Sequence, residues 1–426
     1  MKNETRQINI GVIGLWHLGC VYSAGFAKLG YKVQGFDPNK VVIKNLNKGI
    51  APVSEPELDK IIGENLGVNL TFTNNLAGFF ENKDYIFITY DLPVDEKDRV
   101  STNLINQTAK LIAKYHGGDN IFVVSSQVPL GTCRKLMRTV SKLIYFPENI
   151  RLGKAFESFL TPDRIILGSD SRQLIDNFTD DFSVFNCSFI KMGLESAEMV
   201  KHALNSYLAT CVSYSSEISD LCEILGANMN DVVAALKTDK RVSPYAPINP
   251  GLGFSGGTLG RDVQSLTKLG KIHDYDTKLF KSAYKVNQDR LPWLVRKIKS
   301  IKPNLKNVNI GILGLTYKPG TNTLRRSMSL AFVDLLRKEG CNLRAYDPTV
   351  KEQIDGYGFL EISQNYDEFF KDLQIVVLMT EWPEFQEMPI LEKMNLMKEK
   401  IFFDTKNFLD GNNLLKNGFK YKGTGF

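Results

Sequence analysis

The 426-residue chain has no Cys-x-x-Cys pair and no two histidines at metal-ligand spacing, although it carries six cysteines and four histidines. Neither a zinc site nor a disulfide framework is expected, and buried free thiols account for the cysteines. A run of about 18 consecutive apolar residues is also missing, so no membrane-spanning helix is predicted. The charged N-terminal residues lead at once into Ile8, Asn9, Ile10 and Gly11, too short a run for a secretion signal, and a cytoplasmic protein that does not engage a membrane is expected. Strong charge of one sign is lacking too. Lys and Arg number 53 against 47 Asp and Glu, a net charge of +6, with no dense basic tract and no aromatic interleaving, which argues against a nucleic-acid partner. That balance suits small anionic substrates. Residues 196–225 lack both proline and glycine and carry apolar side chains at helical spacing, which predicts one long helix.

What is present reads as an α/β chain, with 43% apolar residues and a length that supports two or three domains of about 150 residues each. Short β-rich runs at residues 9–13, 32–36, 85–89, 121–124 and 164–167 alternate with segments of helical spacing, the pattern of a parallel sheet wound with helices. A second series, with runs at 308–313, one ending at Ala345-Tyr346-Asp347-Pro348, and runs at 374–379 and 400–403, repeats that order. Gly11-Val12-Ile13-Gly14 and Gly311-Ile312-Leu313-Gly314 open the two series, an internal repeat of fold without a tandem repeat of sequence. The lysine-rich stretch 297–306 reads as a surface connection. The expected organisation is two Rossmann-like doubly wound domains joined by a long central helix. Residues 1–195 form the first domain, 196–300 a helical linker and dimerisation region, and 301–426 the second domain.

Gly14-Leu15-Trp16-His17-Leu18-Gly19 follows a strand and opens a helix, where free backbone amides and the helix dipole can face a pyrophosphate. The middle glycine of the usual Gly-x-Gly-x-x-Gly fingerprint is replaced by Trp16, which implies a displaced cofactor or a side chain folded away from it. Asp37 ends the second strand, the place from which a carboxylate accepts from adenosine ribose hydroxyls. A carboxylate there repels a 2′-phosphate, so NAD is expected over NADP.

Six segments in order resemble the UDP-glucose/GDP-mannose dehydrogenase family, over nearly the whole chain. Ser126-Gln127-Val128-Pro129-Leu130-Gly131-Thr132 is similar to the family's Ser-Thr-Val-Pro-x-Gly-Thr, and Pro147-Glu148-Asn149-Ile150-Arg151-Leu152-Gly153-Lys154-Ala155 to Pro-Glu-Phe-Leu-Arg-Glu-Gly-x-Ala. Lys201 and Asn205, four apart on the long helix, match the pair that polarises the reacting oxygen. Gly253-Phe254-Ser255-Gly256-Gly257-Thr258-Leu259-Gly260-Arg261-Asp262 resembles Gly-Phe-Gly-Gly-Ser-Cys-Phe-Pro-Lys-Asp. Tyr317-Lys318-Pro319-Gly320 and Thr380-Glu381-Trp382-Pro383 complete the set. The resemblance implies catalytic roles for Glu148, Lys201, Asn205 and Asp262, with Thr258 at the nucleophile's position. It implies cofactor contacts from residues 14–19, Asp37, Ser126 and, more weakly, Arg325. Arg241, Tyr245, Gly253, Phe254 and Lys318 would contact a UDP- or GDP-linked sugar, with Arg241 reaching across a homodimer. His17 and His202 are assigned no role as a catalytic base, and Trp382 and Phe385 read as core or subunit-contact residues.

Three departures fall on one chemical task. Family members hold the sugar on a cysteine as a thioester and position the hydrolytic water with a threonine and a second glutamate; this chain has Thr258, Gln127 and Leu152 there. An alcohol needs an adjacent base before it attacks, unlike a thiol, which its surroundings can ionise. The retained groups can stabilise an alkoxide and exchange its proton. The expectation is an NAD-dependent nucleotide-sugar oxidoreductase that removes two electrons, not four, with no metal. A redox-neutral epimerase that keeps its NAD, a four-electron 6-dehydrogenase using an atypical route, and a non-catalytic sugar-nucleotide binder remain the alternatives.

Overall fold

A computed structural model of the protein describes residues 6–92, 101–115, 119–148, 150, 153–254 and 258–426. The chain forms two compact units that divide between Ala203 and Leu204. In the first unit β1 (Asn9–Ile13), β2 (Lys32–Phe36), β3 (Leu70–Thr73), β4 (Tyr85–Ile88), β5 (Ile121–Val124), β6 (Leu143–Tyr145), β7 (Arg164–Gly168) and β8 (Ser188–Met192) build one sheet. Their order is β3-β2-β1-β4-β5-β6-β7-β8. Neighbours are parallel except β6 and β7, which meet antiparallel at Tyr145 and Gly168. Central strands such as β4, Tyr-Ile-Phe-Ile, are buried throughout, because helices cover both faces of a parallel sheet and leave no polar side. The strand order reverses between β1 and β4, so their carboxyl ends splay into a crevice where ligands of open α/β sheets bind. The helix His17–Lys28 starts at that crevice and is buried from Leu18 to Ala27.

In the second unit the helices Met229–Leu236, Leu259–Ile272 and Lys278–Ile301 precede a second sheet. Its strands are β9 (Asn309–Leu313), β10 (Asn342–Tyr346), β11 (Leu360–Ile362), β12 (Ile375–Leu378), β13 (Ile401–Asp404) and β14 (Lys420–Lys422), in the order β11-β10-β9-β12-β13-β14. The two sheets therefore share one winding, with β7 and β8 added to the first. The predicted long helix is Leu194–Leu225, which begins in the first unit and continues into the second.

Two readings of the sequence need correction. Strands β3, β6, β8, β11 and β14 escaped prediction: β6, β11 and β14 have only three residues, and all but β6 lie at a sheet edge, where one face need not be apolar; β8 has no buried residue. The stretch 297–306 is not a simple surface connection. Its first part continues the helix Lys278–Ile301, with Ile298 fully buried and Lys297 bonded at 2.7 Å to Glu223 and at 2.7 Å to the Gly423 carbonyl. Lysines flanking a core isoleucine at helical spacing look like a solvated run when read only by charge.

Candidate active site

The turn after β1 is closed by contacts that allow only glycine at two places. Gly14 has φ +94°, and a Cβ there would lie 2.6 Å from the Tyr90 ring; a Cβ on Gly19 would lie 1.9 Å from the Gly14 carbonyl oxygen. Trp16, at the middle position, has φ −97° and caps the helix in extended conformation, which any L-residue adopts without strain. Its indole is 49% exposed and no side chain caps the helix, so the first-turn amides remain available to an anion. Leu15 and Leu18 are core residues and offer backbone only. Asp37 fastens the turn: its Oδ2 accepts from Leu15 N at 2.9 Å and its Oδ1 from Asn39 N at 2.9 Å. The glycine cradle, the uncapped helix start and the partly exposed Asp37 together fit a dinucleotide.

The second unit contains the same turn with its pocket filled. Asp347, the counterpart of Asp37, is fully buried. It accepts from Leu315 N at 2.7 Å, Thr316 N at 3.1 Å, Thr349 N at 2.9 Å and Trp382 Nε1 at 3.1 Å. That carboxylate has no approach left for a ribose. Trp382 and Phe385 are buried core residues.

The long helix presents Glu198, Lys201, His202 and Asn205 at i, i+3, i+4 and i+7, which is one helical face. In the first unit Lys201 Nζ lies 3.1 Å from Glu148 Oε1 and donates to the Glu148 carbonyl at 3.0 Å. Glu148 Oε2 accepts from Ile150 N at 3.0 Å. The Glu198 carboxylate, buried, accepts from Gly131 N at 2.5 Å and Cys133 N at 2.8 Å and so holds the loop after β5. His202 Nε2 donates to the Val128 carbonyl at 3.1 Å, which occupies that nitrogen as a structural donor. Ser126 is fully buried and donates to the Ile88 carbonyl at 3.3 Å. Leu152 lies outside the described residues, as do Asn149, Arg151 and residues 255–257.

In the second unit Asn205 Nδ2 donates to the carboxylate of Asp262, which is fully buried, and Arg261 Nε lies 3.8 Å from the same carboxylate. Thr258 is the N-cap of the helix Leu259–Ile272, yet its hydroxyl makes no capping bond and is exposed. Gly253, at φ +102°, and Phe254 are clamped by Asn287, which accepts from Phe254 N at 2.8 Å and donates to Phe254 O at 3.0 Å. Arg241 is exposed and bonded to Asp239 at 2.7 and 3.0 Å, and Tyr245 is 92% exposed. Lys318 is half-buried on the loop after β9, and Arg325 is exposed on the segment leading to the helix Met328–Lys338.

Three models of one family match in order. The NAD binding domain of the UDP-glucose/GDP-mannose dehydrogenase family matches residues 8–184, its central domain 195–289 and its UDP binding domain 311–411. The chain belongs to the UDP-glucose/GDP-mannose dehydrogenase family. A UDP-glucose 6-dehydrogenase of Rickettsia prowazekii is 33% identical over 98% of this chain and 99% of its own. TuaD, a UDP-glucose 6-dehydrogenase of Bacillus subtilis, is 28% identical over 98% and 93%. In fold, the chain is similar to a UDP-glucose dehydrogenase of Pyrobaculum islandicum with a TM-score of 0.90, at 24% identity over 100% and 99% of the two chains. Members of the family are NAD-dependent dehydrogenases of nucleotide sugars, and this member carries the family's NAD and UDP binding domains. No helix among the described residues is long and apolar enough to cross a membrane.

Sequence reasoning passed over Glu55, Glu198 and Asn287. Each acts on a partner 33 to 100 residues away, and a local pattern carries no trace of such a partner.

Proposed function

We propose that this family member oxidises one hydroxyl of a UDP-linked hexose to a carbonyl and stops there. The observation that carries the reading is Thr258: an exposed hydroxyl without a hydrogen bond among the described residues stands where the resemblance calls for a covalent thiol. NAD on the Gly14–Gly19 turn would supply the hydride acceptor. Lys201, held by Glu148, and Asn205, held by Asp262, would stabilise the alkoxide as the O–H proton leaves. The C–H bond then breaks with its electron pair, the C–O bond becomes C=O, and two electrons leave the sugar. Formation and hydrolysis of a thioester, which would remove two more, would lack both nucleophile and water-positioning groups. The UDP moiety is assigned from the UDP binding domain and from relatives named for UDP-glucose, with Lys318 and the Gly253–Phe254 backbone as its contacts and Arg241 completing the diphosphate site.

The competing reading is oxidation through the carbonyl to the acid. It draws on the relative named a UDP-glucose 6-dehydrogenase, which is 33% identical over 98% of this chain. Incubation with NAD and a panel of UDP- and GDP-hexoses, followed by mass analysis of the products, separates the two. A product two mass units lighter supports the carbonyl, and one fourteen units heavier supports the acid.

We also propose that the protein dimerises through the long helix. Tyr207, Tyr214 and Leu221 recur every seven residues and are 56, 47 and 51% exposed, an apolar stripe that a second copy would cover. A monomer at micromolar concentration by sedimentation would contradict this.

A further inference from the structure

Glu55 belongs to none of the segments that the sequence singles out, yet its carboxylate joins two of them. The side chain is only 1% exposed. A carboxylate removed from water to that degree is tolerated only when donors surround it, and three do. Oε2 accepts from His17 Nε2 at 2.9 Å and from Gly153 N at 3.0 Å, and Oε1 accepts from Ala155 N at 2.8 Å. His17 is the first residue of the helix that starts at the dinucleotide turn, next to Trp16. Gly153 and Ala155 end the segment that begins at Pro147 and carries Glu148, the partner of Lys201.

We propose that Glu55 is a positioning residue that transmits occupancy of the cofactor turn, through His17, to the backbone at Gly153 and Ala155. This rests on the placement of NAD at the turn and of the sugar beside Glu148. One carboxylate oxygen is shared between the His17 ring and the Gly153 amide, so an Oε2 that follows one partner changes its bond to the other. When a dinucleotide draws the start of the helix His17–Lys28 into one position, Glu55 follows, and the amides of residues 153 and 155 follow Glu55.

The test is amide hydrogen exchange of residues 153–155 in the full chain, with and without NAD and with no sugar present. In the unmodified protein NAD slows exchange there about tenfold, the size expected for a coupling of 1–2 kcal/mol. At saturating NAD, His17→Ala, which leaves Glu55 its two backbone donors, loses that slowing. His17→Gln, whose amide can donate to Glu55, restores part of it. Glu55→Gln and His17→Ala each weaken NAD by about tenfold, and the double variant is no weaker than either single one. With UDP-glucose as the probe substrate, the variants raise KM for both ligands more than they lower kcat. Equal slowing at 153–155 in His17→Ala and in the unmodified protein would overturn the coupling alone. If the unmodified protein fails to bind NAD, the coupling and the cofactor assignment fall together.

Discussion

Gly253→Ala should be among the most damaging single-methyl additions in the second unit. The new Cβ would lie 2.4 Å from Asn287 Oδ1 and 3.2 Å from Arg290 Cγ, and the backbone would keep a φ of +102° that disfavours alanine by roughly 1–2 kcal/mol. Asn287 has to withdraw, which breaks both of its bonds to Phe254 at about 1 kcal/mol each. The sum is roughly 3–4 kcal/mol, or a fall of about 6–16 °C in the midpoint of a unit of this size. Asn287→Ala alone loses the two bonds without the clash and should cost about 2 kcal/mol. In the double variant the main obstacle to the new methyl is gone, so its cost should fall below the sum of the singles. Calorimetry of the four proteins reads this directly. A Gly253→Ala midpoint within 1 °C of the unmodified protein, or strict additivity, would refute the argument that Asn287 sets this loop.

Asp37→Ala should narrow the preference for NAD over NADP, because it removes both a ribose acceptor and a charge opposed to a 2′-phosphate; titration of each dinucleotide checks this, and unchanged affinities would remove the assignment. Lys201→Ala and Asp262→Ala should each lower kcat on the order of a hundredfold, whereas Thr258→Ala should change it little; a large loss on Thr258→Ala would return that residue to the chemistry. Burial pushes the Cys20 and Cys133 thiols well up from their ordinary value and that of Cys341 to about 11, so at pH 8 each stays protonated and poorly nucleophilic. Brief iodoacetamide treatment at pH 8 should then leave these three thiols unmodified by peptide mass analysis, and their rapid alkylation would contradict the argument.

The fold was legible in the sequence wherever burial on both faces of a sheet demanded continuous apolar runs, as in β1, β4 and β5. It was not legible at edge strands such as β8, nor in the lysine-flanked end of the helix Lys278–Ile301. Glycines at 14 and 19 could be read because the positive φ at Gly14 and the approach of Gly19 to the Gly14 carbonyl are local demands. Trp16 departs from the glycine rule by residue type alone, yet its backbone is extended and the residue is about half exposed. The clamps made by Glu55, Glu198 and Asn287 were invisible, since each is a charged or amide side chain in an ordinary helix or loop whose partner is fixed only by the tertiary fold. Asp37 and Asp347 make the same point from the other side. They stand at equivalent places in the repeat, and only the packing of Trp382 and Thr316 shows that the second is already occupied.

The most direct test counts electrons. Purified protein is mixed with a limiting amount of the UDP-hexose that it turns over and with excess NAD, and NADH is followed to its end point by absorbance at a known concentration of sugar. The two-electron account predicts one NADH for each sugar consumed, with no carboxylate in the product and the same ratio for Thr258→Cys, which restores the thiol without the water-positioning groups. Two NADH per sugar from the unmodified protein, together with a uronic acid, would contradict it and show that the full oxidation proceeds without the thiol.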